Sequence, residues 1–138
     1  MSQLGQKYSL ETVLTGKAVA FGPKGQPSAI GKIPVHEAVK VTKTGLVGDE
    51  QADPRHHGGP EKALHHYPAD HYKTWKMEYP DTPSNAFQVG GYGENISTSG
   101  LLEGDVCIGD TFKFGTALIQ VAQGRQPCWK LNVRFQVP

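Results

Sequence analysis

The sequence predicts a mostly β, barrel-like domain with a helical insertion, and two observations support this prediction. The first is that 17 glycines and 10 prolines are spread through the 138 residues between short apolar runs, well above the average share of about 12% for the two together. The second is that the apolar runs give roughly seven short strands and one clear helix. Short turns between successive strands favour antiparallel pairing, and an antiparallel sheet that closes on itself forms a barrel.

The predicted strands follow one another along the chain with turn-rich segments between them. They occupy residues 16–21, 29–35, 36–42, 64–67, 106–108, 110–114 and 117–123. In the third strand, Val39 and Val41 alternate with Lys40 and Thr42, which is typical of a half-buried strand. The last two strands are expected to form a hairpin at residues 115–116. The terminal segment LNVRFQVP fits the start of either a helix or a strand.

The predicted helix begins at Pro68, because a proline at the first helical position loses no hydrogen bond. Tyr72, Trp75 and Tyr79 then recur at spacings of three and four residues, so they share one face of the helix. The helix is expected to end before Pro80, because proline cannot continue it.

Length, charge and composition limit the classes of protein and partner. A chain of 138 residues is long enough for one domain with its own core. A formal net charge of +1 argues against a nucleic-acid surface, which needs concentrated lysine and arginine. Two cysteines form no disulfide framework, no apolar stretch approaches the ~20 residues of a membrane span, and the polar N-terminus lacks a signal core. We therefore expect a cytoplasmic protein without nucleic-acid or membrane partners.

One of the two cysteines stands in a setting that favours chemistry. Cys128 lies in the segment RQPCWKLN, between Arg125 and Lys130. Nearby cations favour the thiolate, which is the form that attacks electrophiles and binds metals. The alternative is a small buried apolar side chain, which is a common role for free cysteine. Cys107, in the predicted strand VCI, is expected to be structural.

The histidines and the acidic turn raise the question of a metal site. Five of the six histidines lie in the segment RHHGGPEKALHHYPADH, but it contains no His-x-x-x-His pair and no Cys-x-x-Cys. Adjacent histidines on a strand face opposite ways, so we do not expect a structural zinc site. The acidic segment GLVGDEQAD matches no calcium loop and is interpreted mainly as turn chemistry.

Two glycine-rich segments, HHGGPEKA and GGYGENIS, have the composition of anion-binding loops. In the first, Gly58 and Gly59 free backbone N–H groups, and Lys62 adds a positive charge. In the second, Asn95 adds an amide donor. Neither segment is a Walker A motif or a dinucleotide fingerprint, so tight turning remains the alternative for each.

Five segments of the chain, taken in order, resemble the MOSC domain family. They are GLVGDEQAD, HHGGPEKALHHYP, YGENIST, a Gly-Asp pair before a strand, and RQPCWKLN. The resemblance is closest to the bacterial YiiM-type proteins and covers residues 14–135. Each motif alone is unspecific, whereas five in series with compatible spacing are a strong signal. The fold that this resemblance implies is a MOSC-like β-barrel.

The resemblance also implies a cofactor, a reaction and partners. MOSC domains are molybdenum-cofactor (molybdopterin) domains that do not use pyridoxal phosphate, and in the active members the cysteine of Arg-x-Pro-Cys ligates molybdenum. Here that residue is Cys128, which would be both metal ligand and catalytic residue. YiiM-type proteins reduce N-hydroxylated compounds, such as hydroxylaminopurine base analogues, to amines with electrons from a separate flavin-containing reductase. A small N-hydroxylated substrate and that reductase are the expected partners, and a homodimer is left open.

A phosphate at the end of the organic cofactor requires cations and amide donors. A guanidinium can clamp a phosphate with two parallel hydrogen bonds, while a lysine acts as a point charge. The residues expected to contact the cofactor are Arg125, Lys130, Lys62, His57, Gly58 and Asn95.

Family members of this type continue past the last residue of this chain, so residues 1–138 are expected to be a single MOSC domain lacking its C-terminal end.

Other interpretations of the function of the chain stay open beside the enzyme. The alternative function is a carrier or binding module for the molybdenum cofactor or its sulfur, because no clear proton-transfer residue stands beside Cys128. A third reading makes Cys128 a thiol nucleophile with His57 or His66 as its base. The fourth is a purely structural interaction domain.

Overall fold

Short strands and a few short helices build the part of the chain that the computed structural model describes, which is residues 1–3, 5–83 and 85–137. The strands are β1 (Ser2–Gln3), β2 (Gln6–Lys7), β3 (Ser9–Thr15), β4 (Val19–Phe21), β5 (Gln26–Ser28), β6 (Ile33–Val35), β7 (Val41–Thr42), β8 (Gly45–Leu46), β9 (His66–Pro68), β10 (Ile96–Ser99), β11 (Thr111–Phe114) and β12 (Ala117–Gln120). The helices are α1 (Pro54–His57), α2 (Asp70–Glu78) and α3 (Trp129–Phe135). The prediction of a mostly β domain is confirmed.

The sheets are open, so the prediction of a closed barrel is wrong for the described part of the chain. Two sheets have four strands each, in the orders β12-β11-β1-β2 and β6-β3-β10-β9, and β4-β5 and β7-β8 form separate two-stranded pairs. Small closed barrels use about eight strands with a continuous stagger. Here neither four-stranded sheet pairs its outer strands, because most strands are too short to carry the ladder further.

The central strand of the second sheet is buried although its side chains are polar. β10 pairs antiparallel with β3 and parallel with β9. Ser97 and Thr98 are both 0% exposed. The Ser97 hydroxyl donates to the Tyr67 carbonyl at 3.3 Å, and the Thr98 hydroxyl lies 2.8 Å from the His66 ring. These hydrogen bonds offset the cost of burying the two hydroxyls.

An aromatic core holds the two longer helices against the glycine-rich loop. The predicted helix is confirmed as α2, and its Tyr72 is 4% exposed. The predicted start at Pro68 is wrong, because Pro68 ends β9 and the helix begins at Asp70. Phe135 of α3 stacks on Phe87 at 4.6 Å and lies 5.0 Å from the Tyr92 ring. The Trp75 indole N–H donates to the Tyr67 hydroxyl at 2.7 Å, which satisfies the polar end of that ring.

A buried carboxylate organises the loop GGYGEN beneath this core. Glu94 is 0% exposed. Its Oε1 accepts from the Tyr72 hydroxyl at 2.6 Å and from the Gly90 amide at 2.7 Å, and its Oε2 accepts from the Tyr92 amide at 3.1 Å. Burial raises the pKa of Glu94 above its usual value of 4.5, although these hydrogen bonds act in the opposite direction.

Some of the other predicted elements are confirmed by the structure, and others differ from it. The hairpin at residues 115–116 is confirmed as β11–β12, and LNVRFQVP contributes to α3. Residues 36–42 contribute only β7, and 106–108 form no strand. The Cys107 amide donates to the Asp110 carboxylate at 2.8 Å, a local turn contact that competes with strand pairing. Cys107 is exposed, so the buried strand position predicted for it is wrong.

Six strands lie outside the predicted ranges: β1, β2, β3, β5, β8 and β10. Of these, β3 and β10 are the two inner strands of the second sheet. β3 has only one fully buried residue, Leu14, and β10 has the polar residues described above. Neither therefore shows the alternation of apolar and polar residues on which strand prediction depends. In the described ranges, no helix combines the length and the apolar character needed to cross a bilayer.

Candidate functional site

A cavity of about 1170 Å³ brings together segments that are distant in the sequence. Five of the six residues expected to contact a cofactor line it together with Cys128; they are Arg125, Lys130, Lys62, His57 and Asn95. Gly58 lies outside the lining. The cavity joins the loop after α1, the loop before β10 and the segment that leads into α3. Its size is in the range of small-molecule and cofactor sites.

Cys128 lies half-buried at the start of α3, with an extended backbone at φ −127° and ψ 162°. The preceding Pro127 also lines the cavity and fixes the approach of the chain. α3 is anchored at its far end by the buried Phe135, which is 2% exposed. The thiol is thus attached to a helix that packs into the core, and not to a free loop.

The cations around the cavity are held by backbone oxygens. Arg125 Nη2 donates to the Lys62 carbonyl at 2.8 Å, and Lys62 Nζ donates to the His56 carbonyl at 2.7 Å. Lys130 Nζ donates to the Pro27 carbonyl at 3.1 Å. In the part of the chain that the structure describes, none of these three cations has a carboxylate within the 4.0 Å of a salt bridge. These three cations are therefore not paired with a carboxylate, although Asp49, Glu50, Asp53, Glu61 and Glu103 also line the cavity.

Two histidines of the cavity are held in the neutral form at ordinary pH. Burial, together with the positive charge of Arg125, lowers the pKa of His65 from 6.5 to about 4. Burial also lowers the pKa of His57 below its usual value, with further contributions from Lys130 and Arg125. Burial likewise lowers the pKa of the Arg125 guanidinium, which stays protonated at neutral pH.

The first glycine loop owes its composition to packing within the protein. A Cβ on Gly58 would lie 2.9 Å from the Pro54 Cα and 3.0 Å from the Pro54 carbonyl oxygen, so a side chain there would collide with the start of α1. Gly59 adopts φ +92°, a conformation that favours glycine. Both glycines allow the chain to turn from α1 into the segment that carries Lys62.

Asn95 uses its whole side chain inside the protein. Its Nδ2 donates to the Leu14 carbonyl at 3.2 Å and to Asp49 Oδ2 at 2.8 Å, and its Oδ1 accepts from the His65 amide at 3.1 Å. The Asn95 amide also donates to the His65 carbonyl at 2.7 Å. Asn95 therefore fixes the backbone of His65 in the cavity wall, and both of its side-chain donor hydrogens are already engaged.

Asp49 is the residue of this region that sequence reasoning missed. Its side chain is 1% exposed and its Oδ1 accepts from Lys32 Nζ at 2.6 Å and from the Gly16 amide at 2.7 Å. The acidic turn was interpreted as turn chemistry, and Lys32 carried no signal. The only signal available was an aspartate next to a glycine in GLVGDE, which does not reveal a partner 17 residues away.

Metal binding by side chains of the protein alone has no support in the described ranges. No group of three or more His, Cys, Asp or Glu residues there has the geometry to hold a metal ion. Cys128 supplies the only thiol among the cavity-lining residues of those ranges, and the only other sulfur ligand there is the thioether of Met1. A metal at this thiol would need other ligands from outside the protein, as an organic cofactor supplies.

These features define a β-rich domain with a thiol and several cations in one cavity. A family model for the MOSC domain matches residues 53–138. That is more than half of the chain, so the chain belongs to the MOSC domain family.

Similar proteins agree with this membership. Protein YiiM of Escherichia coli is 50% identical over 125 residues, which cover 91% of this chain and 55% of the relative. A protein of Gibberella moniliformis named reductase is 45% identical over 112 residues, which cover 80% of this chain and 20% of the relative. The crystal structure of YiiM from Escherichia coli is similar with a TM-score of 0.73 at 39% identity, covering 96% of this chain and 53% of that chain. The chain thus spans about half the length of YiiM.

Proposed function

We propose that this domain binds the molybdenum cofactor through Cys128 and reduces N-hydroxylated compounds, such as hydroxylaminopurine base analogues, to amines. The observation that carries the proposal is the position of a half-buried thiol in one cavity with cations that have no acidic partner in the described ranges. The name reductase, given to the similar fungal protein, supports redox chemistry.

The donor set fits this cofactor. A thiolate is a suitable ligand for a thiophilic metal, and uncompensated cations suit an anionic phosphate. Arg125 engages one carbonyl through Nη2, so its other N–H groups can turn to a phosphate. When bound, the cofactor supplies the electron transfer and the oxygen-accepting centre.

The residues of the chain have separate roles in this proposal. Cys128 holds the metal, Arg125 clamps the phosphate, and Lys62 and Lys130 act as point charges in the same cavity. His57 contacts the edge of the cofactor. Gly58 contributes through the backbone turn that presents Lys62.

Asn95 contributes differently from the residues that face the cofactor. Because its donors are engaged, it acts by fixing His65. The electrons come from a separate flavin-containing reductase, and the substrate is a small N-hydroxylated molecule.

A carrier of the cofactor or of its sulfur is the second candidate function. The observation that favours it is that His65, which lines the cavity, has a pKa of about 4 and is therefore not an imidazolium that could protonate a departing hydroxyl at neutral pH. A carrier would bind the cofactor in the same cavity without needing a proton donor.

The decisive experiment is elemental analysis of the protein purified from molybdate-fed cells. We expect about one molybdenum per chain, its loss in Cys128→Ala, and its retention in the matched control Cys107→Ala, because Cys107 is exposed and lies outside the cavity lining. Retention of molybdenum in Cys128→Ala would overturn the assignment of the ligand. The molybdenum-loaded protein is then assayed with hydroxylaminopurine and a flavin-containing reductase, and binding without turnover would favour the carrier.

A further inference from the structure

The starting observation is a group of cations that line one cavity, which we call the basic cluster: Arg125, Lys62 and Lys130. Arg125 bonds to the carbonyl of Lys62, and Lys62 bonds to the carbonyl next to His57. The three cations line one cavity and have no salt-bridge partner in the described ranges. Like charges held together in a half-buried site repel one another, so the cluster gains from a bound anion.

His57 is the titratable group of the cavity on which this cluster acts most directly. It is half-buried and lines the same cavity. Burial lowers its pKa, and the positive charges of Lys130, Arg125 and Lys62 lower it further. A bound anion that neutralises the cluster removes the part of this lowering that the three cations cause, so the pKa of His57 rises on binding.

We propose that the cavity binds a tetrahedral dianion, such as a phosphate or sulfate group, together with one proton that His57 takes up from solvent. The imidazolium then donates to the anion beside the cluster. By linkage, an anion that favours the protonated histidine is itself bound more tightly when that histidine is protonated. The proposal deepens the proposed function, on which it rests for the view that the physiological anion is the phosphate of the cofactor.

The charged groups that face His57 come from several elements. On its own helix, Asp53 raises its pKa, while the lowering charges come from the Pro60–Lys62 turn, the segment before Cys128 and the start of α3. Glu61, His65 and the Cys128 thiol also line the cavity. His65 has a pKa of about 4, so it stays neutral over the range in which His57 titrates.

Sulfate is the probe of choice because it keeps both negative charges over about pH 5 to pH 8, where histidine titrates. Any change in its affinity over that range therefore comes from the protein. Binding of sulfate to the chain is measured by calorimetry at several pH values. Each titration is done in two buffers of different ionisation enthalpy, which gives the number of protons taken up.

The matched variants are His57→Gln and His56→Gln. His56 is the neighbouring residue, but its side chain is 76% exposed, bonds to Asp53 at 2.8 Å and does not line the cavity. We expect the Kd of sulfate to rise about tenfold from acidic to mildly alkaline pH in the parent and in His56→Gln, which corresponds to a pKa change of about one unit. In His57→Gln we expect no proton uptake and a Kd that is independent of pH.

Three results would overturn the proposal. They are no sulfate binding at any pH, binding without proton uptake in the parent, and the same pH dependence in His57→Gln as in the parent. A circular dichroism spectrum and a thermal melt of His57→Gln establish that the variant is folded. The molybdenum content of the protein is measured separately. If the protein retains molybdenum but takes up no proton when sulfate binds, this inference is rejected and the proposed function stands.

Discussion

Lys32 and Asp49 form an ion pair in the wall of the cavity, with Nζ 2.6 Å from Oδ1 and side chains that are only 6% and 1% exposed. The other carboxylate oxygen accepts from Asn95. Because Asn95 also holds the backbone of His65, its amide side chain connects this charge pair to His65. Buried charges of this kind are tolerated when each is paired and hydrogen-bonded.

Replacing Lys32 by methionine removes one partner of this buried pair and leaves Asp49 without its counter-charge. We expect Lys32→Met to lower the free energy of unfolding by about 3–5 kcal/mol, measured by urea denaturation. The matched control is Lys17→Met, because Lys17 pairs with Glu50 at 3.2 Å with side chains 64% and 45% exposed. An exposed pair contributes about 0–1 kcal/mol. Equal losses in the two variants would show that Asp49 is not an uncompensated charge in Lys32→Met.

The buried Glu94 predicts a particular dependence of stability on pH. Since burial raises its pKa in the folded state, folding favours the protonated carboxyl. This contribution to stability is complete below the unfolded value of about 4.5 and is lost as the pH rises through the folded pKa. Glu94→Gln cannot titrate. We therefore expect the stability of the parent relative to Glu94→Gln to decrease as the pH is raised from about 4 towards neutrality.

Urea denaturation of both proteins at several pH values measures this difference. Glutamine also places an NH₂ group where Glu94 Oε2 accepts from the Tyr92 amide, so the variant carries a loss of about 1–3 kcal/mol that does not depend on pH. If the parent instead became more stable relative to Glu94→Gln as the pH rises, the hydrogen bonds to Glu94 would outweigh the effect of its burial.

Gly90 combines a positive φ with close packing, and Gly100 has the positive φ alone. Gly90 has φ +92°, and a Cβ there would lie 2.9 Å from Leu14 Cδ2 and 3.2 Å from the Lys32 carbonyl oxygen. Gly100 has φ +75° with nothing within 4 Å of its Cβ position. We expect Gly100→Ala to cost about 1–2 kcal/mol for the backbone alone. Gly90→Ala should cost about 1–3 kcal/mol more, because the buried Leu14 must move.

Thermal and urea unfolding of Gly90→Ala and Gly100→Ala compare the two costs. The comparison isolates the effect of packing, since both alanines adopt a similar backbone conformation. Indistinguishable stabilities would indicate that Leu14 relocates without cost and that the approach of Gly90 to β3 is not tight.

The sequence predicts elements whose stability is local, and it fails where stability comes from distant partners. α2 has an apolar face of regular spacing, and the β11–β12 hairpin has a short turn, so both elements can be predicted from the sequence. β10 is buried through hydroxyl hydrogen bonds to β9, which no periodicity reveals. The predicted strand at residues 106–108 was apolar, but Ile108 is 75% exposed, so apolar character alone did not indicate burial.

The site shows the same division. Cys128, Arg125 and Lys130 were found because their residue types are close together in one segment. The carbonyl that holds Arg125 is 63 residues away, and the partner of Asn95 is 46 residues away. Asn95 was predicted from its type to face a ligand. Its position between β3 and the start of β9 shows that its hydrogen bonds go to the protein, a distinction that only tertiary structure makes.

The hydrogen bond from Arg125 to Lys62 also has a consequence for the order in which the molecule assembles. A contact across 63 residues requires the closure of a long loop, which is entropically unfavourable before other contacts form. Domains rich in such contacts fold slowly, in about milliseconds to seconds. During synthesis, the first half of the chain leaves the ribosome well before Arg125 does. The cation cluster therefore cannot form before the segment that carries Arg125 has left the ribosome, which places it after the contacts within the first half of the chain.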